Sequence, residues 1–551
     1  MKKNLAAALA VPTLFLIIAA ASISSWKLNF PLNDDWAYAI PVRHLLAGDG
    51  LVLCDWAAAT QITHILWGTL WTGIHGFNYG VLRLSTLFLA SGAIFFFFLL
   101  LKELEADNKL AWLAAATLAF SPVYFLLSNS FMTDVPYLFW LILSLYLYAR
   151  HLKSGAEIWL WAAAVSSCAC YLTRQIGFFL PFGYTLLLLS DKSLNLSRKT
   201  LLRIWLLPAL TIAGHALWFK FVHGPTWVSE NYVFAATLKH LASPGRLFSD
   251  VLERTLAAAA ETGFFLLPIS AGFFPGFRQF IRRKSPFSLG SGAYLSVAAL
   301  VSACTIYAAL KGPMPWLENT LNATGLGTLT LGGEQFKAAG IFGMGWFRLC
   351  STVLGILSAA ALLAACFIAD RESGAAVKRI LRLLFFVCAS QFAFSLLGMK
   401  FFDRYMLVLF PWLLAAAAFA GTRMKFSMPV SATFLVLAAA LSWAGTTDYF
   451  AWNEAKWKAA ASAAKAGISP EETAGGFDYN ASFNYEKNMK KLKSLKPLRM
   501  TGEWEWQTMG NYRAVLSFSP PPAPFFLIGE AKYATPLSGT GGTVYLLRLL
   551  R

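Results

Sequence analysis

The sequence predicts an α-helical polytopic membrane protein of about 13 transmembrane helices, followed by a small C-terminal α+β domain outside the membrane. Three observations carry this. Of the 551 residues, 57% are hydrophobic and only 13% charged, well outside the soluble average. Runs such as Leu87 to Leu101 and Val430 to Ala444 are too apolar and too long for a two-faced surface helix. The basic residues gather in short connectors between such runs, as in Lys2-Lys3, Arg198-Lys199, Arg282-Arg283-Lys284, Lys378-Arg379 and Arg423 with Lys425. That is the pattern of cytoplasmic loops. It accounts for the formal net charge of +18 and argues against a nucleic-acid partner.

Taken in order, the expected spans are 5–24, 81–101, 110–127, 136–150, 158–172, 176–190, 201–222, 256–275, 289–310, 347–368, 380–398, 405–421 and 428–447. The first follows Lys2-Lys3 without a clear small-residue cleavage site, so it reads as a retained signal anchor. A cytoplasmic N-terminus puts every basic connector inside. It leaves the connectors near 25–80, 128–135, 173–175, 223–255, 311–346 and 399–404 outside, together with the C-terminus. The expected location is a plasma (inner) membrane crossed many times, with any chemistry on its outer side.

Residues 1–447 form the expected membrane domain. Its first outer loop, 25–80, carries Trp26, Trp36, Trp56, Trp67 and Trp71 among polar residues, which suits helices lying along the outer surface. Residues 448–551 form the expected extracytoplasmic domain. It starts with an Ala-rich amphipathic helix bearing Trp452, Lys456, Trp457 and Lys458. Gly475-Gly476-Phe477 and a Lys-rich helix at 487–496 follow. Candidate strands lie at 514–518, 525–528 and 543–547, with Pro520-Pro521-Pro522 between the first two. Seven scattered cysteines, mostly inside apolar runs, give no disulfide framework and no metal-ligand spacing.

The residues able to do chemistry sit at the outer ends of the helices. Asn33-Asp34-Asp35-Trp36-Ala37-Tyr38 follows the first span. One carboxylate there would serve as a helix cap. The adjacent second adds repulsion unless the pair supplies a general base with an orienting or metal-binding partner. Asp134, in Thr133-Asp134-Val135-Pro136, is either an ordinary helix start or a third acid at the same face. Arg83, Arg174 and Arg404 stand at outer helix ends. Singly each is a snorkelling anchor; together around carboxylates they make a phosphate site. Asp403 is a local partner candidate for Arg404. His64 and His75 are candidate metal ligands, but their spacing fits no compact motif. Glu318 and Glu334 lie in a Gly-rich outer loop and read as solvated or acceptor-facing.

In this order and placement the motifs resemble the GT-C class of membrane glycosyltransferases, and within it glycosyltransferase family 39. That family contains protein O-mannosyltransferases and lipid A aminoarabinose transferases. Asp34-Asp35 with its following aromatics resembles the family's acidic first-loop motif. Arg83-Leu84-Ser85 is similar to its Arg at the head of the second span, and Thr133-Asp134-Val135-Pro136 to its second-loop Asp. Thr173-Arg174-Gln175 is similar to a Thr-Lys-type step, and Arg404-Tyr405 with Pro411 to an Arg-Tyr…Pro motif. The Lys-Pro-Pro or His-Pro-Pro often found late in the first loop is replaced by Trp56-Ala57-Ala58-Ala59-Thr60-Gln61-Ile62-Thr63-His64.

The resemblance implies a polyprenyl-phosphate-linked sugar as donor and a lipid, glycan or protein as acceptor, among membrane lipids. It implies catalytic roles for Asp34, Asp35 and Asp134 and donor-phosphate contacts from Arg83, Arg174, Arg404 and Tyr405. Tyr38 and His64 would position substrate, and a divalent metal at the carboxylates is left open. No Gly-rich phosphate loop for a nucleotide sugar is present. The rival expectation is a transporter or flippase for a lipid-linked saccharide, with ionisable groups near mid-membrane and broken spans in paired halves.

Overall fold

The computed structural model describes residues 2–194, 196–229, 235–276, 290–332, 340–494, 505–522, 524–536 and 541–549. Arg282-Arg283-Lys284 and Glu334 lie outside the described residues. Within the described residues, each expected span falls largely on helix. Among the described residues, seven helices are long and apolar enough to cross a membrane, or nine if each of two bent pairs is one span. The bent pairs are Asn108–Ala119 with Pro122–Ser128, at 62°, and Pro244–Phe265 with Leu267–Gly276, at 73°. Pro122 and Pro268 explain the breaks. Proline has no N–H to give to the preceding turn, and its ring displaces the residue before it from helical geometry. The expected spans at 5–24 and 176–190 fall on shorter apolar helices, Ala8–Ala21 and Gln175–Ser190. Those at 136–150 and 158–172 fall on Asp134–Ser154 and Glu157–Thr173.

Local sequence sets the helix ends. Asn78 and Asp107 accept from the Gly80 and Lys109 amides and so start Tyr79–Glu103 and Asn108–Ala119. Gly155, at φ 68°, closes Asp134–Ser154 in the left-handed region and turns the chain into Glu157–Thr173. Small residues let backbones approach. A Cβ on Gly263 would sit 2.0 Å from the Gly355 carbonyl oxygen, so Pro244–Phe265 and Gly345–Glu372 touch main chain to main chain.

The first connector holds two helices, Asp35–Ala47 and Ile62–His75. At the other end, Met428–Lys465 is a single helix of 38 residues that runs through the composition change at 447. The extramembrane sheet packs on its second half. That sheet contains β3 (Thr473–Ala474), β4 (Ala514–Ser517), β5 (Phe525–Ala534) and β6 (Gly541–Leu549), in the order β3-β4-β6-β5. Only β3 and β4 are parallel. The remaining strands, β1 (Leu321–Asn322) and β2 (Gly325–Leu326), form a small hairpin in the connector after residue 311. The Lys-rich helix is Phe477–Ser494, and its apolar side packs onto Asp35–Ala47 through Trp36, Ile40, Tyr485 and Met489.

Candidate active site

A cavity of about 930 Å³ opens where the first connector, several helix ends and the C-terminal domain meet. Asp34, Tyr38, Asp134, Arg174, Arg404 and Tyr405 all line it. Residues separated by hundreds of positions are thus gathered into one space, and each arrives there for a local reason.

Asp34 precedes the Asp35–Ala47 helix but makes no side-chain cap bond. Its carboxylate turns to the cavity, where the Trp56 indole donates to it at 3.0 Å. Asp134 starts its helix and is 3% exposed. The Arg174 guanidinium donates to its Oδ1 at 2.5 Å, and Arg404 approaches its other oxygen at 3.6 Å. Burial works to raise the Asp134 pKa, but the two guanidinium groups overcome that and hold it below the ordinary carboxylate value. Arg404 also lies 3.9 Å from Asp34, so it bridges the two acids. Tyr405 lies between the cations, with its ring centroid 5.6 Å from Arg174 and 5.7 Å from Arg404.

Arg174 is held at the cavity by the way its helix ends. The backbone becomes extended at Arg174, and the first connector is zipped alongside. Thr60 Oγ1 donates to the Tyr171 carbonyl, the Gln61 amide to the Thr173 carbonyl, and Gln175 Nε2 to the Ala58 carbonyl. Arg404 is placed by its neighbour. Asp403 is fully buried and accepts from the Thr320 and Leu321 amides at 2.8 and 2.6 Å. Asp403 therefore anchors the 317–321 segment, and Arg404 reaches instead for Asp34 and Asp134.

Three expected site residues lie elsewhere. Asp35 is fully buried; it accepts from the Leu32 and Phe131 amides and sits 3.8 Å from Arg83. Burial pushes its pKa up to about 7 against the pull of Arg83. Arg83, also fully buried, donates to the carbonyls of Ser25, Leu28 and Phe30. It ties the segment after the first helix to Tyr79–Glu103. His64 stacks on Phe131, centroids 4.0 Å apart, and its Nε2 donates to the Phe131 carbonyl. Burial lowers its pKa to about 4, so it is neutral and packed. None of the three lines the cavity.

The cavity also has walls that sequence reasoning did not assign. Trp56, Gln175, Lys400 and Phe402 contribute, as do Asn319 with Thr328–Thr330 and Gly476-Phe477. Lys400 and Phe402 adjoin Arg404 in the connector expected on the outer side, which was the available signal. Among the described residues, no group of three or more His, Cys, Asp or Glu side chains is arranged to hold a metal ion. Asp34 and Asp134 face arginine.

Residues 64–222 match the family model described as dolichyl-phosphate-mannose-protein mannosyltransferase. The match spans under a third of the chain, and it is that stretch that is similar to the family. The matched segment of this chain contains Arg83, Asp134 and Arg174. Among solved structures, the chain is similar to the S. cerevisiae protein O-mannosyltransferase Pmt1-Pmt2 complex bound to the sugar donor. Identity there is 13%, over 42% of this chain and 35% of that one, with a TM-score of 0.33. ArnT from Cupriavidus metallidurans bound to undecaprenyl phosphate matches at 13% identity over 97% of both chains, TM-score 0.41. The archaeal oligosaccharyltransferase AglB from Archaeoglobus fulgidus, in complex with an inhibitory peptide and a dolichol-phosphate, matches at 14% identity. That match covers 81% of this chain and 56% of AglB, TM-score 0.41. No curated protein matches the sequence significantly.

Proposed function

We propose that this protein is an integral-membrane glycosyltransferase that moves a sugar from a polyprenyl-phosphate donor to an envelope lipid, glycan or protein acceptor at the outer membrane face. One observation carries the reading: Asp34, Asp134, Arg174 and Arg404 share a single cavity. The matched family acts from a dolichyl-phosphate-linked sugar, and the cavity's chemistry suits such a donor. Tyr137, Leu138, Ile176, Phe394, Leu407 and Val408 give it an apolar flank for a prenyl chain. Arg174 and Arg404 stand at the edge of that flank, where guanidinium forks match phosphate oxygens.

The proposed reaction is a single displacement with inversion. The acceptor's nucleophilic oxygen attacks the anomeric carbon and bonds to it. The bond from that carbon to the phosphate oxygen breaks, and polyprenyl phosphate leaves with the electron pair. Asp34 takes the acceptor proton. Arg174 and Arg404 stabilise the charge growing on the phosphate, where preorganised cations contribute most. Asp134, already paired with both cations, is poorly suited as a base and acts by aiming them. Tyr38 and Tyr405 shape the space between.

The purified full-length protein, in nanodiscs with envelope extract, is offered polyprenyl phosphates carrying radiolabelled mannose, glucose or aminoarabinose. Release of polyprenyl phosphate coupled to labelling of an acceptor is the expected result. Movement of intact donor between leaflets without its cleavage would replace the enzyme with a flippase.

A further inference from the structure

One buried ion pair takes no part in the chemistry above. Lys456, on the extramembrane half of Met428–Lys465, and Asp478, in the first turn of Phe477–Ser494, are both fully buried. Lys456 Nζ donates to the two Asp478 carboxylate oxygens at 2.7 and 2.6 Å, and to Thr330 Oγ1 at 3.1 Å. A buried pair of this kind is weak as a source of stability, because desolvation offsets much of its attraction. Its partners point to another use. Thr330, Gly476 and Phe477 all line the cavity, and the pair joins the segments that carry them.

The backbone at this junction is equally constrained. Gly476 has φ +86°, and a Cβ there would lie 2.2 Å from the Thr330 carbonyl oxygen. The next residue, Phe477, packs 5.4 Å from Trp56, the residue whose indole donates to Asp34. Lys456 thus leads through Asp478 and Phe477 to Trp56 and then to Asp34.

We propose that Lys456 and Asp478 are positioning residues that lock the Thr330 and Gly476-Phe477 wall beside Asp34, fixing where the acceptor is held. This rests on the cavity being a sugar-transfer site. The contact chain meets Asp34 first and reaches Arg404 only through it, so the lock acts on the acceptor side before it acts on lipid-phosphate binding.

The test uses the full-length protein with the paired change K456M/D478L, which removes both charges together, and with T330V, which keeps the ion pair. K458M is the control, since Lys458 is exposed and pairs with Glu454 on the same helix. Three quantities are read: amide exchange over 326–332 and 475–481, affinity for undecaprenyl phosphate, and kcat and KM for transfer. Expected for the paired variant are faster exchange in both segments and a fall in kcat/KM for acceptor of about tenfold to 100-fold. Undecaprenyl-phosphate affinity should stay within about threefold of the unmodified protein. T330V should shift the same quantities in the same direction by about threefold, and it carries the test if the paired variant fails to fold. Unchanged exchange, or a loosened wall with normal transfer, overturns the lock. Equal loss of undecaprenyl-phosphate binding overturns its restriction to the acceptor side. A wrong assignment of the cavity shows differently: the unmodified protein itself would neither bind undecaprenyl phosphate nor release it from any donor.

Discussion

Asp34 and Asp35 are the same residue type, side by side, and the fold puts them to opposite uses. Asp34 looks into a cavity that it shares with Arg404 and Arg174. Asp35 looks into a buried junction where two amides and Arg83 meet it. Both are carboxylates near guanidinium, yet only one has room for a third party. Arg83 commits its two terminal nitrogens to three main-chain carbonyls, whereas Arg404 stretches between two acids at 3.6 and 3.9 Å. A tight set of short bonds describes a fastener, and longer, shared contacts around open volume describe a place for an incoming anion.

The sharpest way to break this contrast is D34N. Loss of the proposed base should lower transfer by about 10³-fold with little change in thermal unfolding in detergent; near-normal turnover would remove Asp34 from the chemistry. R83M should do the reverse. Leaving three carbonyls and Asp35 unserved should destabilise the protein by about 3–5 kcal/mol, while turnover per folded molecule, measured after size exclusion, stays close to normal. D35N is milder. Losing a carboxylate oxygen that accepts a buried amide should cost about 1–3 kcal/mol.

The D35N deficit should also depend on pH in a defined direction. Burial raises the Asp35 pKa from 3.8 to about 7 in the folded chain. Its protonated form is therefore favoured by folding, and that stability is fully present below the unfolded value and is lost as pH climbs to about 7. The gap between unmodified protein and D35N should thus narrow from about pH 4 to about pH 8. A widening gap would mean that Arg83 governs the carboxyl more than burial does. The smallest effect belongs to H44Q. His44 bonds to Asp49 and Glu486 at 2.9 and 3.0 Å and links the two helices that pack around Trp36. The Asp49 contact leads in raising its pKa above 6.5, so its contribution is present below that value and fades above the folded one. H44Q should cost less than about 1 kcal/mol near pH 6 and nothing near pH 9.

Much of the fold was legible because hydrocarbon is an exacting solvent. Each expected span falls largely on helix among the described residues, since apolar length and basic connectors are properties of the chain itself. The bends at Pro122 and Pro268 were written in the sequence, though the angles were not. The site was legible in part. Asp34, Asp134, Arg174 and Arg404 could be named because charge at the end of an apolar helix is conspicuous. Their convergence depends on packing between segments far apart in the chain, such as the zip of Thr60 and Gln61 onto the end of Glu157–Thr173. Asp35, Arg83 and His64 carry the same local signal and differ only in what covers them. The Gly476-Phe477 wall escaped notice because glycine and phenylalanine carry no charge to mark them.

The 38-residue helix Met428–Lys465 has a mechanical consequence. At 1.5 Å per residue it is about 57 Å long, nearly twice the roughly 30 Å of a bilayer's oily interior. Its far half carries both the sheet and Lys456, so unbroken helix joins them to the embedded half. A tilt of the embedded half would sweep the outer half sideways like a lever. A change in bilayer thickness that tilted the embedded half would thereby displace the sheet and Lys456 relative to the cavity.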